Sequence, residues 1–188
     1  MDVLTLTSSQ IQWPRQLDER LQRFAPSCLW IIGSREILAM RKISLFCSLN
    51  CPENAVANAY ATARKLCDEE AAVVSGFHSP VEKECLQILL QGQQSVVICL
   101  ARALGKIRLP AEWQSALDGG RLLLLSRFER SRRADKETAR RRNELVAALS
   151  DEVLIIHAEP GGHIAEISQL VDRWGIPRSK LHRELQND

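Results

Sequence analysis

Short apolar runs recur along this chain and alternate with longer segments in which apolar residues follow a helical period. The runs predict buried β-strands at residues 43–49, 71–75, 95–100, 121–126 and 152–157. The periodic segments predict α-helices at residues 52–69, 80–91, 134–149 and 163–174. Strands that are apolar throughout and alternate with helices are typical of a parallel sheet covered on both faces. The pattern therefore predicts an α/β fold, Rossmann-like and doubly wound, with a mainly parallel sheet and helices on both faces.

The segment before these strands predicts a short helix at residues 13–24 and a small extra strand at residues 28–33. A chain of 188 residues has the size of one ordinary domain. We therefore interpret residues 1–35 as a small N-terminal cap packed on the core and residues 36–180 as the Rossmann-like domain. Residues 181–188 are interpreted as a polar C-terminal tail.

The basic residues are clustered, although the formal net charge is only +2. Between Arg127 and Arg142 lie seven Arg and one Lys, against three acidic residues. This segment follows the predicted strand at 121–126, at the edge where a parallel sheet binds its ligands. Arg140, Arg141 and Arg142 repel one another unless an anion compensates them, and Arg donates bidentate hydrogen bonds to phosphate. The clustering therefore indicates a polyanionic partner.

The six cysteines are scattered at irregular intervals and form no Cys-x-x-Cys pair, which favours free thiols over a zinc site. The first thirty residues lack the apolar core of a signal peptide, and no apolar run reaches the roughly 18 residues that span a membrane. These features predict a reduced, soluble protein of the cytoplasm with no membrane partner.

Small or hydrogen-bonding residues follow most of the predicted strands, and they form the candidate site. The carboxyl ends of parallel strands meet at one edge of a sheet, so that the loops after them can together cradle a phosphate. The candidate phosphate-binding residues are Ser48, Asn50, Ser75, Gly76, Arg127, Arg140, Arg141, Arg142, Asn143, Gly161 and Gly162. The Gly-Gly pair leads into a predicted helix, which suits a phosphate-binding turn and equally suits a plain strand-to-helix turn.

The sequence predicts no catalytic, cofactor or metal site. The dinucleotide fingerprint Gly-x-Gly-x-x-Gly is absent after the first predicted parallel strand, which argues against NAD or FAD. Glu82, Glu159 and Glu166 are carboxylates in the right region, but no recognisable spacing places them beside a nucleophile or base. His78 is open to two interpretations, a phosphate donor or a polar loop residue.

Three motifs resemble the DNA-processing protein A family, also called DprA or Smf. The most specific is ARRRNELVAALSDEVLIIHA at residues 139–158, which is similar to the family's Arg-Asn motif, apolar helix and following strand. VVSGF at residues 73–77 and LLLLSRF at residues 122–128 are similar to two further strand ends of the family. The resemblance begins near Trp13 and implies a divergent member that comprises the Rossmann-like core domain only.

The chain departs from the family pattern at its first phosphate loop. Gly33-Ser34-Arg35 looks like the family's Gly-Ser-Arg loop but lies too far before Ser75. By spacing, residues 47–50 take the place of that loop, without its glycine and arginine. The family's Gly-Ile-Asp is likewise replaced by Pro80-Val81-Glu82.

The resemblance implies a binding protein. Members of this family bind single-stranded DNA through a basic pocket, form dimers and help to load the recombinase RecA during natural transformation. Carried over by position, Arg142 and Asn143 are the first candidates for DNA phosphate contacts.

Two alternatives stay open. Pro160-Gly161-Gly162 is similar to part of a phosphoribohydrolase motif, so that a nucleotide-binding sensor or an enzyme of the same superfamily is possible, although the glutamate arrives two residues early. The other alternative is a scaffold that has lost its pocket and serves protein association.

Overall fold

The computed structural model describes residues 2–105, 107–131 and 133–179. These residues form one seven-stranded sheet flanked by helices. The strands are β1 (Leu4–Thr7), β2 (Cys28–Gly33), β3 (Lys42–Cys47), β4 (Ala72–Ser75), β5 (Val96–Leu100), β6 (Leu122–Ser126) and β7 (Glu152–His157). The helices are α1 (Gln16–Leu21), α2 (Glu53–Leu66), α3 (Pro80–Gln91), α4 (Ala111–Asp118), α5 (Lys136–Leu149) and α6 (His163–Arg173), with 3-10 turns at Gln22–Phe24 and Arg35–Ala39.

The order of the strands creates a switch point in the sheet. The order is β1-β2-β6-β5-β4-β3-β7, and the five strands from β3 to β7 are parallel. The chain runs outward from β3 to β6 and then crosses back to place β7 on the other side of β3. The loops after β3 and β7 consequently lead to helices on opposite faces, and open α/β sheets bind ligands in the crevice at such a point.

Two hydrophobic clusters cover the two faces of the sheet. On one face α1, α5 and α6 contribute buried residues such as Leu17, Leu145 and Ile167. On the other face α2, α3 and α4 contribute residues such as Leu66 and Leu89. Every residue of β3, β4 and β6 is buried, as two covered faces require. The predicted Rossmann-like α/β fold with a mainly parallel sheet is confirmed.

The N-terminal segment extends the sheet. β2 pairs antiparallel with β6, and β1 pairs antiparallel with β2. The predicted strand at residues 28–33 is therefore confirmed, whereas β1, α4 and the 3-10 turn at Arg35–Ala39 were not predicted. The division into a cap and a core stays a prediction, and residues 181–188 lie outside the described part of the chain.

The buried cysteines have thiols of low reactivity. Cys47, Cys85 and Cys99 are buried, and desolvation raises the pKa of the Cys85 and Cys99 thiols to about 12. Because the thiolate is the nucleophile, these thiols are poor reactive groups at neutral pH. No helix among the described residues has the length and apolar character needed to cross a membrane.

Candidate anion-binding site

Two adjoining cavities lie at the carboxyl edge of the parallel strands. The smaller, here called the crevice, measures about 210 Å³ and lies at the ends of β3 and β7; it is lined among others by Ser48, Glu82, Asn143, Glu159 and Gly162. The larger, here called the groove, measures about 640 Å³ and lies between the end of β5 and the start of α5; it is lined among others by Gly76, Leu100, Arg102, Lys136, Arg140 and Glu166. Leu49, His78, Ala139, Arg142 and His163 line both cavities.

Arg142 lies between the two cavities. It shares the inward face of α5 with Leu145, Val146 and Leu149, which anchor the helix in the core. Its side chain is only 5% exposed, and its Nε has no hydrogen-bond partner among the described residues. Burial lowers the pKa of the guanidinium, while the charge of Glu82 opposes that shift. A buried charge without full hydrogen bonding is costly, and a bound anion at this position would offset that cost.

Gly76 makes room for Arg142. A Cβ atom at position 76 would overlap the Nη1 and Cζ atoms of the Arg142 guanidinium. The backbone at the end of β4 and the arginine are therefore in direct contact. Only glycine allows this approach without displacing the charged group.

Glu82 holds the ends of β3 and β4 together. Its Oε1 accepts a hydrogen bond from the Cys47 N–H at 2.9 Å. Its Oε2 accepts from the N–H groups of His78 at 2.7 Å and Ser79 at 3.1 Å. Ser79 in turn caps α3 by accepting from the Glu82 N–H, which completes a capping box. The carboxylate is thus an internal anion bound by three backbone donors.

His163 begins α6 and points a second buried donor or acceptor atom into the site. Its Nδ1 lies 3.1 Å from Glu166 Oε2, and its Nε2 is buried without a partner in the described parts of the chain. The hydrogen bond from His163, followed by the charge of Arg140, lowers the pKa of Glu166. The first N–H groups of a helix carry partial positive charge, so that the start of α6 favours a negative ligand.

Arg140 and Arg141 are compensated by the protein itself. Arg140 pairs with Glu144 at 3.6 Å and with Glu166 at 3.5 Å, and Arg141 pairs with Glu137 at 2.7 Å. Carboxylates of the protein itself therefore compensate two of the three adjacent arginines. Exposed pairs of this kind are weak, so that Arg140 can still turn toward a ligand in the groove.

The other candidate residues differ in their position relative to the cavities. Ser48, Asn143 and Gly162 line the crevice, and Asn143 is buried. Ser48 Oγ accepts from the Glu159 N–H at 2.9 Å, which joins the loops after β3 and β7. Gly161 adopts a φ of +72° beside the crevice, a conformation that favours glycine.

Besides Gly161, four candidate residues lie outside the lining of both cavities. Ser75 is buried, and its Oγ accepts from the Phe77 N–H. Asn50 donates weakly to Glu159 at 3.4 Å. Arg127 donates from Nη2 to the carbonyl oxygen of Phe24 at 2.7 Å, and Arg141 is exposed on α5. The geometry brings Arg142, Asn143, Arg140, Gly76, Ser48 and Gly162 together.

Arg102, Lys136 and His163 line the cavities but were not predicted from the sequence as site residues. His163 follows Gly161-Gly162 directly, so that its place at a helix start was available as a signal. Glu82 was considered only as a carboxylate for catalysis, and the structure instead gives it three backbone contacts. No group of three or more His, Cys, Asp or Glu in the described ranges is placed to hold a metal ion.

Gly33-Ser34-Arg35 lies at the opposite edge of the sheet. β2 runs antiparallel to β6, and Gly33 pairs with Leu123 while the Ser34 N–H donates to the Leu122 carbonyl. The carboxyl end of β2 therefore lies beside the amino ends of the parallel strands. Cys47, Ser48 and Leu49, at the end of β3 and directly after it, line the crevice instead.

The two cavities differ in charge. The crevice is lined by Arg142 against Glu82 and Glu159. The groove is lined by Arg102, Lys136, Arg140 and Arg142 against Asp135 and Glu166. The groove is therefore the basic part of this edge, and Leu49, Leu100 and Ala101 give it an apolar wall.

Sequence and structure comparisons agree on one group of proteins. The family model described as DNA recombination-mediator protein A matches residues 4–168. DNA processing protein A (DprA) from Streptococcus pneumoniae superposes with a TM-score of 0.78 at 16% identity, covering 100% of this chain and 70% of that one. DNA processing protein A from Helicobacter pylori, whose structure addresses its single-stranded DNA binding mode, gives a TM-score of 0.76 at 21% identity, covering 95% of this chain and 80% of that one. No curated protein sequence matches the chain.

Proposed function

Since this chain belongs to the DNA recombination-mediator protein A family, we propose that it binds single-stranded DNA in the groove and acts as a recombination mediator. The observation that carries the proposal is Arg142, a buried cation whose Nε lacks a partner among the described residues and which opens onto a basic groove. A phosphate of the DNA backbone would accept the hydrogen bond of this Nε.

The groove offers both kinds of contact that a single strand needs. Arg142 and the start of α6 bind a phosphate, while Arg140, Arg102 and Lys136 attract its neighbours. Leu49, Leu100 and His78 offer an apolar and ring surface for unstacked bases. Asn143 adds an amide on the crevice side. Contacts of this type are independent of sequence, so that binding without strong base preference is expected.

A further part of the proposal concerns the protein partners of this chain. We propose a homodimer and contact with RecA, both of which rest on the family alone. The family gives no support to the phosphoribohydrolase interpretation. Glu166, the carboxylate on which that chemistry would depend, is engaged with Arg140 and His163 in the structure.

The test is fluorescence anisotropy of a labelled single-stranded oligonucleotide, titrated with the protein at several salt concentrations and with duplex DNA as competitor. Binding should weaken steeply with salt, since each neutralised phosphate of a single strand adds about −0.7 to the slope of log K against log salt. Single strands should compete better than duplex. Absence of binding at low salt would refute the proposal.

A further inference from the structure

The crevice lies at the switch point of the sheet, but the backbone donors that follow β3 and β4 are already in use. The N–H groups of Cys47, His78 and Ser79 all donate to the Glu82 carboxylate. The Ser48 N–H donates to the His157 carbonyl at 3.0 Å, and Ser48 Oγ is engaged by the Glu159 N–H. In open α/β sheets these loop N–H groups are the ones that cradle a phosphate. Here the Glu82 carboxylate accepts the hydrogen bonds of three of these groups.

The charge of the crevice also opposes a phosphate monoester. Glu82 is only 5% exposed, and Glu159 lines the same cavity. A phosphate monoester carries about 1.5 to 2 negative charges at neutral pH. Placed in the crevice, it would lie beside two carboxylates with Arg142 as the one cation of the lining. Like charges at short distance repel, and the repulsion is strongest beside a buried charge such as that of Glu82.

The groove has the opposite properties. Its lining contains four cations and two carboxylates, and its volume is about three times that of the crevice, at about 640 Å³ against about 210 Å³. A phosphodiester carries a single charge and two free oxygens, which suits one buried guanidinium with a helix start nearby. Arg142 lines both cavities, whereas Glu82 lines only the crevice.

We propose that Glu82 is a specificity-determining residue: by occupying the amide donors at the ends of β3 and β4, it excludes phosphate monoesters from the crevice and restricts the protein to internal phosphodiester groups of a strand in the groove. Free mononucleotides and phosphorylated strand ends are then poor ligands. The restriction to internal phosphates rests on the proposed DNA binding, whereas the exclusion of monoesters does not.

The first experiment uses the unmodified protein in the anisotropy assay. We compare a 5′-phosphorylated oligonucleotide with its 5′-hydroxyl form, and we use thymidine monophosphate as competitor at the same total phosphate as an unlabelled oligonucleotide. The terminal phosphate should change Kd less than about twofold, as a distant added charge does. The mononucleotide should not displace the strand. Displacement, or about tenfold tighter binding of the phosphorylated end, would overturn the proposal.

The second experiment frees the amide donors. Glu82→Ala is compared with Glu84→Ala, which removes an exposed carboxylate from the same helix. Inorganic phosphate at millimolar concentration should raise the Tm of Glu82→Ala and leave that of Glu84→Ala and of the unmodified protein unchanged. A folded Glu82→Ala variant that gains no stabilisation, or phosphate stabilisation of the unmodified protein, would overturn the proposal.

The two experiments separate this inference from the proposed function. If no strand binds the unmodified protein at low salt, DNA binding is refuted and the phosphate-dependent Tm comparison decides the role of Glu82. If Glu82→Ala does not fold, competition by the mononucleotide in the unmodified protein decides it.

Discussion

Two buried cations, Lys42 and Arg142, lie at opposite edges of the same sheet and differ in their hydrogen-bond partners. The Lys42 side chain is buried at the amino end of β3, where its ammonium donates to the carbonyl oxygens of Leu38 and Met40 and pairs with Asp151 at 3.4 Å. Arg142 is equally buried, but its Nε has no partner within the described residues. The comparison separates a cation whose hydrogen bonds are made within the fold from one that, in the proposed function, binds the ligand.

Arg142→Met gives the largest expected effect on binding. A hydrogen bond to a charged group contributes about 1.5–3 kcal/mol, so that Kd for a single-stranded oligonucleotide should rise about tenfold to a hundredfold. The free energy of unfolding should change by less than about 1 kcal/mol or increase, because an apolar side chain replaces a poorly paired buried charge. Anisotropy and chemical unfolding measure the two quantities.

The matched control is Arg173→Met, which removes an exposed positive charge at the end of α6. It should leave Kd within about twofold. Equal Kd values for the two variants at low salt would remove Arg142 from the binding site.

Lys42→Met should produce the reverse pattern. Two carbonyl oxygens lose their donor, so that the free energy of unfolding should fall by about 2 kcal/mol, while Kd for DNA stays unchanged. Lys83→Met, at an exposed position of α3, serves as control and should leave both quantities nearly unchanged. A loss of DNA binding in a folded Lys42→Met protein would contradict the assignment of the two edges.

Gly76→Ala should have a smaller effect on binding, because the added methyl group displaces the Arg142 guanidinium without removing it. We expect Kd to rise about threefold to tenfold, through loss of part of one charged hydrogen bond. In the Arg142→Met background the same change should cost less, because the two residues are in contact. Additive effects in this double-mutant cycle, followed by anisotropy, would show that the contact is unimportant for binding.

The sequence predicts the layers of the sheet well because buried strands of this fold are apolar throughout. Residues 152–157 and 80–91 were predicted with the bounds that the structure shows, β7 and α3. The position of Arg142 was also accessible, since it precedes Leu145, Val146 and Leu149 at the spacing of one helix face. That spacing distinguishes it from Arg141, which points outward and pairs with Glu137.

The features that the sequence does not predict depend on contacts between segments far apart in the chain. The sequence Ser79-Pro80-Val81-Glu82 carries a capping-box signature, which predicts contacts within α3 but not the bond to Cys47 on another strand. The edge at which Gly33-Ser34-Arg35 lies is set by the antiparallel pairing of β2 with β6, which no local pattern reveals. Orphaned buried atoms such as Arg142 Nε likewise emerge only when all neighbours are placed.

The pairing of β3 with β7 joins a strand that is synthesised early with one that is synthesised late. The Lys42 N–H donates to Asp151, 109 residues later in the chain, and β7 closes the free edge of β3. Until β7 has left the ribosome, β3 presents an unpaired edge that can associate with other chains. Because α5 precedes β7, α6 follows it and both line the groove, the groove can be completed only after α6 has been synthesised.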